Sequence, residues 1–152
     1  MVSPKTRKTH TTNSPDTFIA VAPDCSATRG TVPPEGAKPS VALRTFRLIH
    51  DAPYRHTSDD VLFTVWADRN AVPQARRAAA RLAFFSKGQP CLRASDLGKK
   101  YGWGVHADGE GRVALYGVET ASYRELAAGK RRAQDGRSVT VVYAMRSSRR
   151  SG

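Results

Sequence analysis

The segment YGWGVHADGEGRVALYGV, residues 101–118, decides the fold of this chain. Apolar residues alternate with other residues on both sides of Asp108-Gly109, with Trp103 and Val105 before that pair. A period of two indicates a strand with one buried face, and Asp-Gly is a common turn between paired strands. The segment therefore predicts a β-hairpin over residues 101–117.

Two further segments have the composition of strands. TFIAVAPDC, residues 17–25, and SVTVVYAM, residues 138–145, are short and rich in β-branched residues, and Pro23 closes the first. With the hairpin they give about four strands.

Three segments have helical patterns and a fourth allows a short helix. Ser40 precedes a segment with apolar residues at i, i+4 and i+7, and Thr57 or Ser58 precedes two carboxylates that suit a helix N-terminus. Pro73 suits the first turn of a third helix and Gly88 its C-terminus. The predicted helices are residues 41–50, 57–68, 73–88 and 119–128. We therefore expect an α+β fold in a single compact domain, a mostly antiparallel sheet covered by three or four helices.

The ends of the chain differ in composition from its middle. We expect residues 1–16 to be a disordered basic leader, residues 17–145 to be one globular domain, and residues 146–152 to be a disordered basic tail. A chain of 152 residues with 39% hydrophobic content supports one hydrophobic core.

The formal charge of +12 is concentrated at the ends. Residues 1–9 carry three basic groups, and residues 130–152 carry seven basic groups and one acid, so the ends hold 3 + 7 − 1 = +9. The remaining fifteen basic and twelve acidic side chains give the body only +3. Two interpretations of the basic tails remain: they are solvated ends without a partner, or they attract nucleic acid weakly and without specificity.

Several classes of protein are disfavoured. No apolar stretch is long enough for a membrane span, and the basic start lacks the apolar region of a signal peptide, so we expect no membrane partner and a cytoplasmic location. The two cysteines, Cys25 and Cys91, are not at a spacing typical of metal ligands. The histidines also lack the spacing of a metal-binding motif. No phosphate-loop or dinucleotide motif occurs. We expect no metal and no cofactor.

Five blocks of sequence carry a family resemblance. They are HTTNSPDTFIAVAPDC, PYRHTSDDVLF, FFSKGQPCLRASDLGKKYGWGVH, GRVALYGVE and AMRSSRR. Together they resemble the bacterial domain-of-unknown-function family numbered 6157, from about His10 to Arg150. The resemblance implies a compact cytoplasmic domain and no particular activity.

The densest polar cluster lies in residues 87–106. It contains Lys87, Gln89, Arg93, Trp103 and His106, which together suit a small anionic ligand if the loop folds back on the hairpin. We therefore expect a small binding module with a polar, cationic surface. The structural alternative places Trp103 in the core and pairs Arg93 with an acid such as Asp96.

Two other functions remain open. One is a nucleic-acid-associated protein that uses the basic tails. The other is an uncharacterised enzyme centred on Cys91, Arg93 and His106, which requires a base close to the thiol. Asp59 and Asp60 are interpreted as helix-capping acids, because both lie at a predicted helix N-terminus.

Overall fold

The structure is a computed structural model that describes residues 9–147. Four strands and five α-helices follow one another, with two short 3-10 helices at Gln74–Arg76 and Leu92–Ala94. The strands are β1 (Thr17–Ala20), β2 (Trp103–Ala107), β3 (Val113–Gly117) and β4 (Thr140–Tyr143). The helices are α1 (Val41–His50), α2 (Ser58–Arg69), α3 (Arg77–Phe84), α4 (Asp96–Lys99) and α5 (Ala121–Ala127).

The strands form one open sheet in the order β3-β2-β1-β4. β2 and β3 form the hairpin, in a register that pairs Trp103 with Gly117 and Ala107 with Val113. β1 pairs antiparallel with β2 and parallel with β4. The predicted α+β fold, the mostly antiparallel four-stranded sheet and the hairpin are thereby confirmed.

The two faces of the sheet bury different cores. Val105 of β2 packs in a cluster with Ile49 of α1 and Val61 of α2. On the other face, Phe18 of β1 packs in a cluster with Leu126 of α5. Alternation along each strand therefore divides its side chains between the helix pair α1–α2 and the single helix α5.

The first two helices begin where their capping residues predict. Ser40 accepts a hydrogen bond from the Leu43 amide at 3.1 Å, and α1 has the predicted bounds. Thr57 caps α2 in a capping box with Asp60, whose side chain accepts from the Thr57 amide at 3.0 Å. Of the two predicted cap residues, Thr57 and Ser58, Thr57 is the one that caps the helix.

Other boundaries differ from the predictions. The third helix ends at Phe84, not near Gly88, because the chain turns at Phe85, which is buried in a cluster with Phe63 and Ala67 of α2. The strands are shorter than their apolar segments, since β1 ends at Ala20. Helix α4 follows a Ser95 cap and was not predicted, so five helices replace the expected three or four.

Residues 9–16 lie against the start of α2, and we call this segment the strap. Thr12 donates to the Asp59 carboxylate from its amide at 2.7 Å and from its hydroxyl at 2.6 Å. Order was expected to begin near Thr17, whereas these contacts involve the preceding segment. The rest of the expected leader, residues 1–8, and residues 148–152 of the expected tail lie outside the described residues. Among the described helices, none has the length and apolar content to cross a membrane.

Candidate functional site

A cavity of about 390 Å³ lies between the strap, the sheet and the segment around Cys91, and we call it the strap cavity. Side chains from β1, β2, β3 and β4 form its floor, because it covers the sheet face that α1 and α2 leave open beside β4. Its lining residues are Thr12, Ser14, Thr17, Ile19, Ser58, Cys91, Leu92, Arg93, Val105, Ala107, Gly111, Val113, Thr140 and Val142.

Arg93 is the basic residue of this lining, which contains no carboxylate. Its Nε donates to the Tyr143 carbonyl oxygen at 2.7 Å, and its own carbonyl accepts from the Met145 amide at 2.8 Å. These two hydrogen bonds fix the stem of Arg93 against the end of β4. The terminal nitrogens of its exposed guanidinium have no acidic partner within residues 9–147. Pairing with Asp96, the structural alternative, does not occur.

The rest of the strap cavity combines an apolar floor with hydroxyl groups. Ile19, Val105 and Val142 lie in one row across the sheet, since the strand register pairs them. Thr17 and Thr140 pair in the next row and add hydroxyls beside that apolar row. The cavity therefore suits a ligand with an apolar body and a few polar groups.

The strap wall of the cavity is held by Asp59. This carboxylate is 8% exposed and accepts from Thr11 Oγ1 at 2.7 Å as well as from Thr12. The Asp59 amide donates in turn to Asn13 Oδ1 at 2.9 Å, and Thr12 Oγ1 lies 2.8 Å from Ser58 Oγ. The N-terminus of α2 favours this negative charge.

The five predicted site residues do not share one cavity. Lys87 is exposed and lies outside the strap cavity. Gln89 donates from Nε2 to the Phe84 carbonyl at 2.8 Å and lines a separate apolar groove. Trp103 donates from Nε1 to the Thr31 carbonyl at 2.9 Å, beneath the loop that precedes α1. Of the five, Arg93 alone lines the strap cavity.

His106 lies on the opposite face of the sheet from Arg93. It pairs in register with Phe18, whose side chain belongs to the core beneath α5. Its Nδ1 is 2.8 Å from Tyr54 Oη, which is also 2.7 Å from Tyr116 Oη. Burial lowers the pKa of His106, helped by the charge of Arg131 and opposed by two nearby carboxylates.

This chain of partly buried hydroxyls also affects Tyr54. Burial and the hydrogen bond to Tyr116 raise the pKa of Tyr54 above its ordinary value, so its hydroxyl stays protonated. Cys91 borders the strap cavity, and the sheet lies between it and His106. The pairing of thiol and imidazole that thiol catalysis by these two residues would require is therefore absent.

Metal binding and nucleic-acid binding gain no support from the described residues. Within residues 9–147, no three His, Cys, Asp or Glu side chains are placed to hold a metal ion. In the basic loop after α5, Arg131 pairs with Glu125 at 3.3 Å and Arg137 with Asp135 at 2.7 Å. Part of the charge attributed to the basic C-terminal region is thus neutralised within the chain.

A family model described as "Family of unknown function (DUF6157)" matches residues 9–150. The chain belongs to this family. The resemblance stated from the sequence blocks is thereby confirmed over nearly the full length. No curated protein and no solved structure matches the chain. Membership in DUF6157 identifies the folding unit and assigns it no activity, so a function has to be inferred from the cavities.

Sequence reasoning missed the residues that complete the strap cavity. Thr12 and Ser14 lie in a polar segment whose composition indicated disorder, and Thr140 lies in a strand chosen for its apolar residues. Tyr54, which holds His106, has φ +58°, an uncommon value outside glycine. The one available signal was the HTTNSPD block, whose hydroxyl and amide groups suit a carboxylate such as Asp59.

Proposed function

We propose that the protein is a small binding module and that the strap cavity holds an anion with an apolar body, such as a medium-chain carboxylate. The observation that carries the proposal is the position of Arg93. A fixed guanidinium, whose terminal nitrogens have no acidic partner in the part of the chain that the structure describes, borders a cavity with an apolar floor and no carboxylate in its lining. Guanidinium binds carboxylate through paired hydrogen bonds, and the apolar row on the sheet supplies contact area for a hydrocarbon body.

Of the five residues of 87–106 expected to bind an anion, this proposal retains only Arg93 as a ligand contact. Lys87, Gln89, Trp103 and His106 do not contact this ligand. Cys91 becomes a wall residue beside the ligand rather than a nucleophile. The Thr140 hydroxyl adds a polar group in the row of the sheet next to the apolar row, whereas the Thr17 hydroxyl already donates to the Pro15 carbonyl oxygen at 3.0 Å.

The test is a thermal-shift series with straight-chain carboxylates from acetate to decanoate. A ligand at ten times its Kd stabilises the folded state by about 1.4 kcal/mol. For a chain of this size that is roughly 3–6 °C in Tm. We expect the shift to grow with chain length until the cavity is full, and the matched alcohols to give a smaller shift.

Matched variants locate the site. Arg93→Met keeps much of the side-chain stem and removes the charge, so it should abolish the difference between carboxylate and alcohol. Lys87→Gln removes one charge outside the cavity and should leave the shift intact. Equal shifts in the parent and Arg93→Met, or none in the parent, contradict the proposal. A retained interaction with nucleic acid that weakens steeply with salt would instead support the basic tails.

A further inference from the structure

A second cavity, of about 450 Å³, lies on the sheet face that carries His106, and we call it the His106 cavity. The hairpin turn, the residue before β1 and the loop between α5 and β4 surround it. Its polar lining consists of Asp16, His106, Asp108, Glu110, Arg132 and Gln134. None of these residues lines the strap cavity, so the inference is independent of the proposed carboxylate site.

The positive charge of Arg131 favours one direction of the hydrogen-bond chain behind His106. The Arg131 guanidinium lies over the Tyr116 ring, 5.9 Å from its centroid, and favours a Tyr116 hydroxyl whose hydrogen points away from it. Tyr116 then donates to Tyr54, and Tyr54 donates to His106 Nδ1. Since burial keeps the imidazole neutral, its one hydrogen is on Nε2.

That Nε2–H group makes no hydrogen bond within residues 9–147, and protein atoms do not seal it off. His106 is 8% exposed, and Tyr54, which holds the Nδ1 edge of the ring, is not part of the cavity lining. The Nε2 edge therefore faces the cavity. An accessible donor on an otherwise buried ring is available to hydrogen-bond a ligand in the cavity.

The carboxylates of the cavity, in contrast, require a hydrogen-bond donor or a cation. Asp16 and Asp108 both act electrostatically on His106, and the Asp16 carboxylate accepts no hydrogen bond from residues 9–147. Asp108 Oδ1 accepts from the amides of Glu110 and Arg112, each at 2.9 Å. Arg132 donates to Ser138 Oγ at 2.8 Å and retains other donors. The cavity lining thus contains both carboxylate acceptors and cationic or neutral donors.

We propose that the His106 cavity binds a small zwitterion, an α-amino acid, with its ammonium group at Asp16 and Asp108. The amino-acid carboxylate accepts from His106 Nε2 and Arg132. A simple cation leaves Nε2 without an acceptor, and a simple anion meets the three carboxylates of the lining. Only a ligand with both charges matches both groups.

The test uses the twenty L-α-amino acids as probes, by calorimetric titration of the full chain. For the best of them, the N-acetylated form and the decarboxylated amine should each bind at least tenfold more weakly, because each lacks one charge. If the amine binds as well as the amino acid, the cavity is a cation site and the proposal is wrong. If none of the twenty binds, the proposal is also wrong.

Variants assign the two ends of the ligand. Asp16→Asn should weaken binding at least tenfold without disturbing the backbone, because Asp16 has φ +53° and asparagine tolerates that conformation. Arg132→Gln should do the same, while Lys130→Gln, a charge-matched change outside the lining, should have no effect. Unchanged affinity in both cavity variants overturns the site.

A spectroscopic measurement tests the hydrogen-bond direction. Nitrogen chemical shifts of the His106 ring distinguish a proton on Nε2 from one on Nδ1, and the amino acid should shift Nε2 on binding. A ring protonated on Nδ1 alone would refute the donor role. Arg93→Met should leave both readouts unchanged, which separates this site from the strap cavity.

Discussion

Replacement of Asp59 by alanine should detach the strap from α2. The Asp59 carboxylate is buried and accepts three hydrogen bonds from Thr11 and Thr12, at 2.6–2.7 Å. Alanine removes the carboxylate acceptor, and the strap loses most of its polar attachment to the start of α2. Two contacts would remain: the Asp59 amide donates to Asn13 Oδ1, and Thr12 Oγ1 lies 2.8 Å from Ser58 Oγ.

The expected loss in the free energy of unfolding follows from the number and kind of these hydrogen bonds. A hydrogen bond to a charged group contributes about 1.5–3 kcal/mol net, so three would sum to at most about 9 kcal/mol. The sum is an upper limit, because the strap can leave the helix and its donors then return to water. We expect a loss of about 3 kcal/mol in the free energy of unfolding. For this chain length the Tm should fall by roughly 6–12 °C.

Urea unfolding and amide hydrogen exchange measure the two parts of this effect. The Thr12 amide, which donates to Asp59, should exchange much faster in Asp59→Ala. Asp60→Asn is the control: it weakens the capping box and the ion pair with Arg81, at a cost of roughly 0.5–2 kcal/mol, and leaves Thr12 protected. A loss below about 1 kcal/mol with normal Thr12 protection would refute the role of Asp59.

Two further predictions concern the opposite face of the sheet. Burial lowers the pKa of His106 below 6.5, so the unfolded chain binds a proton that the folded protein excludes, and stability should fall as pH drops through 6.5 and level off below the folded pKa. Urea unfolding from pH 7.5 to 5 checks this, and His106→Gln should reduce the slope. Gly104→Ala would place its Cβ 2.4 Å from Phe18 Cζ and should cost about 1–3 kcal/mol, whereas Gly36→Ala, with its nearest atom at 3.7 Å, should be nearly neutral in the same assay.

The parts of the fold that could be predicted depend on local interactions. The capping residues Ser40 and Thr57 and the turn at Asp108-Gly109 act over a few residues, and the elements that they define formed as expected. The end of the third helix could not be predicted in the same way. It depends on Phe85 packing against α2, which is a tertiary contact.

The residues predicted to form one site within 87–106 line different cavities and surfaces, because proximity in sequence is not proximity in a sheet. Trp103 and His106 are three residues apart in one strand, so their side chains point to opposite faces. That separation follows from the period of two that predicted the hairpin. Arg93 reaches the strap cavity only through the end of β4, whose parallel pairing with β1 no local pattern indicates.

Release of the strap should affect the two cavities differently, because the sheet holds Asp16 in place. Its amide donates to the Asp108 carbonyl at 2.9 Å and its carbonyl accepts from the Thr140 amide at 3.0 Å, so the sheet holds it independently of Asp59. Thr12 and Ser14, by contrast, line the strap cavity from the segment that Asp59 anchors. Asp59→Ala should therefore weaken carboxylate binding at the strap cavity and leave amino-acid binding at the His106 cavity intact. Parallel loss of both would mean that the strap supports the whole sheet edge, and the two cavities would then not be separate sites.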